Sequence, residues 1–158
     1  GLPVAAENAV ISPVDRVFTH FASTTNSNIG MGRFGEECKR LKDMFAELSE
    51  YSLVLMDETL SATDSFEAAV IGEEILAALS AYGCSGVFAT HIHQLSQKAD
   101  AINKLPTCVS HGDNLVAGIE NGVRTYKVRR QAPDGRSYAK DIADKYGLSF
   151  KKLMELKN

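Results

Sequence analysis

Ser52-Leu53-Val54-Leu55-Met56-Asp57-Glu58 decides the fold class of this chain. Four consecutive apolar residues, Leu53 to Met56, run directly into two adjacent carboxylates. A run this short and this apolar predicts a strand buried on both faces, as inside a parallel sheet. Two acids at the end of such a strand carry a desolvation cost unless something pairs with them. Two readings fit the stretch taken alone. In one, the acids simply reach solvent at the sheet edge. In the other, they end a Walker B strand. Asp57 then holds the shell of a Mg²⁺ ion, mostly through water, and Glu58 orients or polarises the attacking water beside a nucleotide phosphate.

The sequence downstream favours the second reading. Gly86 to Thr90, Gly-Val-Phe-Ala-Thr, is another short apolar run, and it leads into His91. Between the two runs, Ser65 to Tyr82 has helical spacing, with Ile71, Ile75, Ala78, Leu79 and Tyr82 on one face. Strand, helix, strand predicts a right-handed crossover unit. Ligands of open α/β sheets sit at the carboxyl edge of the strands, so Asp57, Glu58 and His91 are expected to converge there.

Composition fits one globular domain. The chain has 158 residues, 44% of them hydrophobic and 23% charged, which excludes a disordered polymer. No apolar run approaches the span of a bilayer and no signal peptide is visible, so no membrane segment is expected. Cys38, Cys84 and Cys108 are odd in number and lack metal-ligand spacing. They read as reduced thiols of a cytoplasmic protein. The net charge of −3 is unevenly spread, with −8 over residues 1–100 and +5 over residues 101–158. The basic end could face nucleic acid or an acidic partner, but it reads as a solvated surface that offsets the acidic half.

Further along, Ala9–Ile11 and Arg16–His20 are strand candidates around a Ser12-Pro13 turn. Ser23 to Asn28 is a polar loop, and Gly30 to Gly35 leads into a helix carrying Phe34, Cys38, Leu41, Phe45 and Leu48 at three- and four-residue spacing. A short helical piece is expected near Gln94–Ala99. Thr107–Val109, Leu115–Ile119 and Val123–Arg130 read as strands, the last two joined by the hairpin signal Asn121-Gly122. Ser137–Tyr146 reads as a helix stopped by Gly147, followed by a second from Ser149 to Leu156. Gly30-Met31-Gly32-Arg33-Phe34-Gly35 matches the dinucleotide fingerprint formally, but a polar loop precedes it where a buried strand is required. Glycines at a helix start still leave backbone N–H groups free for an anion. His91, His93 and His111 have no Cys or acid at the spacing of a zinc site.

Taken together these segments resemble the ATPase domain of the MutS family of DNA mismatch repair proteins, a branch of the ABC ATPases. The resemblance is carried by Ala9–Thr19, by Glu50–Glu58 (Glu-Tyr-Ser-Leu-Val-Leu-Met-Asp-Glu), by Phe88–Leu95 (Phe-Ala-Thr-His-Ile-His-Gln-Leu), and by Ser137-Tyr138-Ala139. It implies an α/β P-loop NTPase fold of the ABC type, a three-layer sandwich with a mainly parallel sheet, followed by a C-terminal β-hairpin and helices. Residues 1–158 would be the C-terminal part of that domain. It also implies site residues. Asp57 and Glu58 would be the Walker B pair, Glu58 and His91 the catalytic groups, and His91 the sensor of the γ-phosphate. Gly30 and Gly32 would belong to the signature that touches the nucleotide of a partner subunit. Ser61, Thr63 and Asp64 would lie in the loop that communicates across a homodimer interface. The implied ligands are ATP and Mg²⁺, with DNA bound by other domains of the parent.

Three departures accompany the resemblance. No Gly in the chain is followed by Lys, so the Walker A loop is missing and is expected upstream of Gly1, in a longer parent. Gly32 stands where the family usually has Ser. The loop after Glu58 reads Ser-Ala-Thr-Asp-Ser rather than the family's Gly-Arg-Gly-Thr wording. Two function classes follow: part of an ATP-hydrolysing domain, favoured by Asp57, Glu58 and His91, or a degenerate, non-catalytic module for dimerisation or partner contact. A helix-turn-helix over Ala139–Leu156 is a weaker third reading.

Overall fold

The Leu53–Asp57 run folds into β2, the middle strand of a three-stranded parallel sheet. It pairs with β1, Val17–Phe21, on one side and with β3, Ser85–Ala89, on the other. The register aligns Val17, Leu53 and Ser85 at the start and Phe21, Asp57 and Ala89 at the end, so all three strands finish level. The computed structural model describes residues 4, 6–21, 32–120, 123–133 and 138–156. The polar loop Ser23–Asn28, Gly30, the Asn121-Gly122 turn and Ser137 lie outside the described residues.

Helix α1, Gly32–Phe45, links β1 to β2, and α2, Ser65–Tyr82, links β2 to β3. With strands in the order β1-β2-β3 and crossovers of the usual right hand, both helices fall on one face of the sheet. The core agrees. Leu41 and Met44 of α1 and Ala68 and Ile75 of α2 share one cluster with Val54 and Met56 of β2. Val54 and Met56 are 1% and 2% exposed. Leu53 and Leu55 alternate with them on the opposite face and stay half-buried. This corrects the expectation of a strand equally buried on both sides.

Local sequence sets the ends of α2. Asp64 is its N-cap, and the carboxylate accepts from the N–H groups of Phe66 (2.8 Å) and Glu67 (3.2 Å). The Thr63 hydroxyl donates to Glu67 at 2.8 Å, so the first turn is tied on both sides. Gly83 ends the helix with a left-handed φ of 75°. The buried stripe of α2 is Ala68, Gly72 and Ile75, with Ile71 and Leu79 beside it. Tyr82, expected on that face, instead lies 43% exposed, edge-on to Phe45 with its hydroxyl donating to the Phe45 carbonyl at 3.2 Å.

Two expected strands do not form. Ala9–Ile11 is irregular, and Val10 is fully exposed. Its apolar residues have no pairing partner among the described residues, and a strand is a property of pairing rather than of composition. Thr107–Val109 is a turn and loop whose backbone serves α2: Val109 and Ser110 both donate their N–H groups to the Ser80 carbonyl, at 3.1 and 3.0 Å. The Gln94–Ala99 segment divides into two single-turn helices, α3 at His93–Ser96 and α4 at Ala99–Ile102. The hairpin forms as β4, Leu115–Glu120, antiparallel to β5, Val123–Arg130, with a register shift between Ala117 and Ile119. Helices α5, Tyr138–Lys145, and α6, Phe150–Glu155, flank Gly147, whose φ of 77° makes it the stop signal expected. No helix among the described residues is long and apolar enough to cross a membrane.

Two stability measurements check this packing. A Cβ built on Gly86 would stand 2.7 Å from the Val54 carbonyl oxygen, which is fixed by strand pairing. Gly86→Ala is expected to destabilise the protein by about 1–3 kcal/mol, read as a lower denaturation midpoint. Asp64→Ala removes the α2 cap and should cost about 1 kcal/mol, while Asp64→Ser should recover most of it. An unchanged midpoint in Asp64→Ala would show that the cap contributes nothing.

Candidate functional site

The three strands end on one edge, and that edge carries the expected acids. Asp57 is the last residue of β2 and is exposed. Among the described residues no side chain pairs with its carboxylate. Glu58 follows with a φ of 51°, and Leu60 has a φ of 68°. Left-handed backbone at two non-glycine residues costs energy and persists only where the surroundings impose it. Here the chain is held on both sides. The Glu58 N–H donates to the Ala89 carbonyl at the end of β3 (3.0 Å), and the Leu60 N–H donates to the Glu37 carboxylate of α1 (2.8 Å).

His91 stands two residues beyond β3, and its Nδ1 meets Glu58 Oε2. Both side chains are open to solvent, at 69% and 42% of their surface, so the pair contributes little stability. Its value is geometric. One carboxylate oxygen of Glu58 faces His91, which leaves the other free for a third group such as water. The Thr90 hydroxyl accepts the Ile92 N–H at 3.0 Å, which shapes the turn carrying His91.

The other expected site residues fall into two groups. Gly32 is the exposed first residue of α1, with a φ of 68° and open space where a Cβ would be. The serine expected there from the resemblance would meet no clash but would carry a left-handed backbone, costing about 1–2 kcal/mol. Gly30 is outside the described residues. Ser61 is exposed in the loop after Glu58, while Thr63 and Asp64 spend their side chains on the first turn of α2. The structure therefore brings Asp57, Glu58 and His91 together, and it gives Thr63 and Asp64 a capping role that the Asp64-x-x-Glu67 spacing announces.

Three residues were not singled out from sequence. Glu37 and His20 are 5% and 4% exposed, and His20 Nε2 lies 3.3 Å from Glu37 Oε1. A carboxylate only accepts, so the ring donates from Nε2. Burial pushes the His20 ring below its ordinary value, Arg40 adds to that, and the Glu37 hydrogen bond opposes it. Glu37 was visible in principle: it is an acid set inside the apolar stripe of Phe34, Cys38 and Leu41. Thr59, 1% exposed, has a hydroxyl without a hydrogen-bond partner among the described residues. Only the course of the loop reveals it.

Asp57 is the carboxylate at this edge that could hold a cation. No group of three metal-ligating side chains gathers among the described residues, so the chain offers no all-protein cage there. An exposed strand-end carboxylate fits a hard cation that keeps its waters and takes phosphate oxygens as further ligands.

Comparisons with known proteins give the family of the chain. The chain is 33% identical over 148 residues to the endonuclease MutS2 of Thermus thermophilus, covering 94% of this chain and 19% of that protein. It is 30% identical over 150 residues to the DNA mismatch repair protein MutS of Chlorobium phaeovibrioides, covering 92% and 16%. Against the mitochondrial DNA mismatch repair protein MSH1 of Arabidopsis thaliana it is 30% identical over 121 residues, covering 77% and 10%. The chain thus spans less than a fifth of the length of these relatives. Residues 1–154 match the family described as MutS domain V, and the chain belongs to that family.

Proposed function

We propose that this chain is the C-terminal part of an ABC-type ATPase domain in a MutS-like mismatch repair or DNA-processing protein. The observation that carries the reading is the level strand edge, where Asp57 ends β2 and Glu58 meets His91 across the end of β3. In this reading Asp57 would hold a Mg²⁺ ion, mostly through water, and the chemistry such an ion would supply is neutralisation of phosphate charge. Glu58 uses its free carboxylate oxygen to orient and polarise the attacking water. His91 holds the other oxygen, and so fixes the carboxylate and senses the γ-phosphate beside it.

ATP binding then couples to assembly. Gly32 at the start of α1, together with Gly30 just before it in sequence, would offer backbone N–H groups to the nucleotide of a second copy, and Ser61 would lie in the loop facing the same interface. ATP thereby strengthens a homodimer, and the ATP state is passed to DNA held by other domains of a cytoplasmic parent protein. A second reading, a non-catalytic dimerisation module, draws on two observations. Gly32 stands where the family usually has Ser, and Thr63 and Asp64 are already committed to capping α2. Kinetics separate the two.

In the full-length protein that carries this chain, Glu58→Gln should keep nucleotide affinity and slow hydrolysis by about 100- to 10,000-fold. Asp57→Asn should instead weaken the Mg²⁺-dependent part of binding. Steady-state turnover and equilibrium titration measure the two effects, and wild-type turnover in Glu58→Gln would favour the non-catalytic module. The 158-residue chain alone should bind ATP only weakly, with a Kd well above about 1 μM, because it holds no lysine-bearing phosphate loop. Titration with a fluorescent ATP analogue checks this; submicromolar affinity would make the α1 start a primary phosphate site.

A further inference from the structure

We propose that Glu37 is a positioning residue for Glu58, acting through the backbone of the loop that joins β2 to α2; the inference rests on the hydrolytic reading above. Three observations carry it. Glu37 is a nearly fully buried acid, 5% exposed, in the middle of α1. A charge there is costly unless it is used. Its Oε1 accepts two hydrogens that come from different elements: the Leu60 N–H at 2.8 Å and the His20 ring at 3.3 Å. Leu60 is also one of the two left-handed residues of the loop, and its N–H is the donor that Glu37 accepts.

The geometry explains why the contact bears on Glu58. Two hydrogen bonds tie the backbone of the loop between the end of β2 and the start of α2, while the fully buried Leu60 side chain anchors it in the core. One is the Glu58 N–H on Ala89, and the other is the Leu60 N–H on Glu37. Thr59 lies between them with a buried hydroxyl that has no partner among the described residues, so it adds no polar restraint. Loss of the Glu37 acceptor would release the Leu60 backbone from its hydrogen bond and leave the Glu58 backbone held by the Ala89 bond alone, so the turn between them could relax from positive φ. The Glu58 carboxylate would then swing from its place against His91. His20 holds Glu37 in turn. It sits on β1 opposite Met56, one pair before Phe21 faces Asp57. The ring therefore anchors the carboxylate to the same sheet edge.

The test uses the full-length protein that carries this chain, with two readouts: amide hydrogen exchange at Leu60, and kcat and KM for ATP hydrolysis. Glu37→Leu fills the space without an acceptor. It should speed Leu60 exchange at least about tenfold. It should also lower kcat about 10- to 100-fold while KM stays within about threefold. Glu37→Gln retains an acceptor oxygen and should restore both readouts to near the unaltered values. A residue that only stabilises the fold would lower the melting temperature without this split between kcat and KM. If Glu37→Leu does not fold, Glu37→Asp withdraws the acceptor by one methylene and carries the same expectation. Unchanged Leu60 exchange or unchanged kcat in the folded variant overturns the proposal, as does failure of Glu37→Gln to rescue. Wild-type turnover in Glu58→Gln would instead overturn the hydrolytic reading and the catalytic role of Glu37 with it. Leu60 exchange would then decide only whether Glu37 holds the loop.

Discussion

Two left-handed residues, Glu58 and Leu60, turn the chain off the end of β2, and everything proposed for this edge depends on their staying so. Neither is glycine, so the conformation is imposed from outside. β3 supplies one restraint through the Ala89 carbonyl and α1 supplies the other through Glu37. Both are made by backbone N–H groups of the loop, one to a main-chain carbonyl and one to a side-chain carboxylate, so neither donor is left unpaired. The loop then delivers Asp64 to the start of α2, where the cap fixes the far side. The turn is thus spanned by a sheet, a buried carboxylate and a helix cap. Glu58 is directed at His91 as a consequence of that frame rather than by the weak attraction of two exposed side chains.

The parts legible in sequence were those whose physics is local. Leu53 to Met56 followed by two acids gave a strand with the acids at its end, because a short apolar run has few other fates. Ser65–Tyr82 gave its helix through periodicity, and Gly147 gave its stop, because left-handed backbone favours glycine. The illegible parts depend on partners distant in sequence. Ala9–Ile11 has the composition of a strand but nothing to pair with among the described residues. Thr107–Val109 has it too, yet its N–H groups answer the carbonyl at the end of α2.

The site divides along the same line. Asp57, Glu58 and His91 could be placed together from strand order alone, since neighbouring parallel strands end side by side. The capping of α2 by Asp64 was also readable, from an acid three residues before Glu67, and it changes how the Ser61–Ser65 loop is viewed: half of it is structural. Glu37 is different. Its burial shows only once α1 is laid on the sheet. An acid inside an apolar stripe was the sole hint. Gly32 shows a related point, since a departure from a family's usual residue has a backbone reason here.

The central claim is that the Asp57–Glu58–His91 edge receives a metal-bound nucleotide. The most direct test replaces Mg²⁺ with paramagnetic Mn²⁺ in the full-length protein, with a slowly hydrolysed ATP analogue bound, and reads the broadening of backbone amide signals. The account predicts that Asp57, Glu58 and His91 lose their signals together, and that Asp57→Asn restores them. Intact signals at all three, with broadening centred elsewhere in the protein, would contradict it.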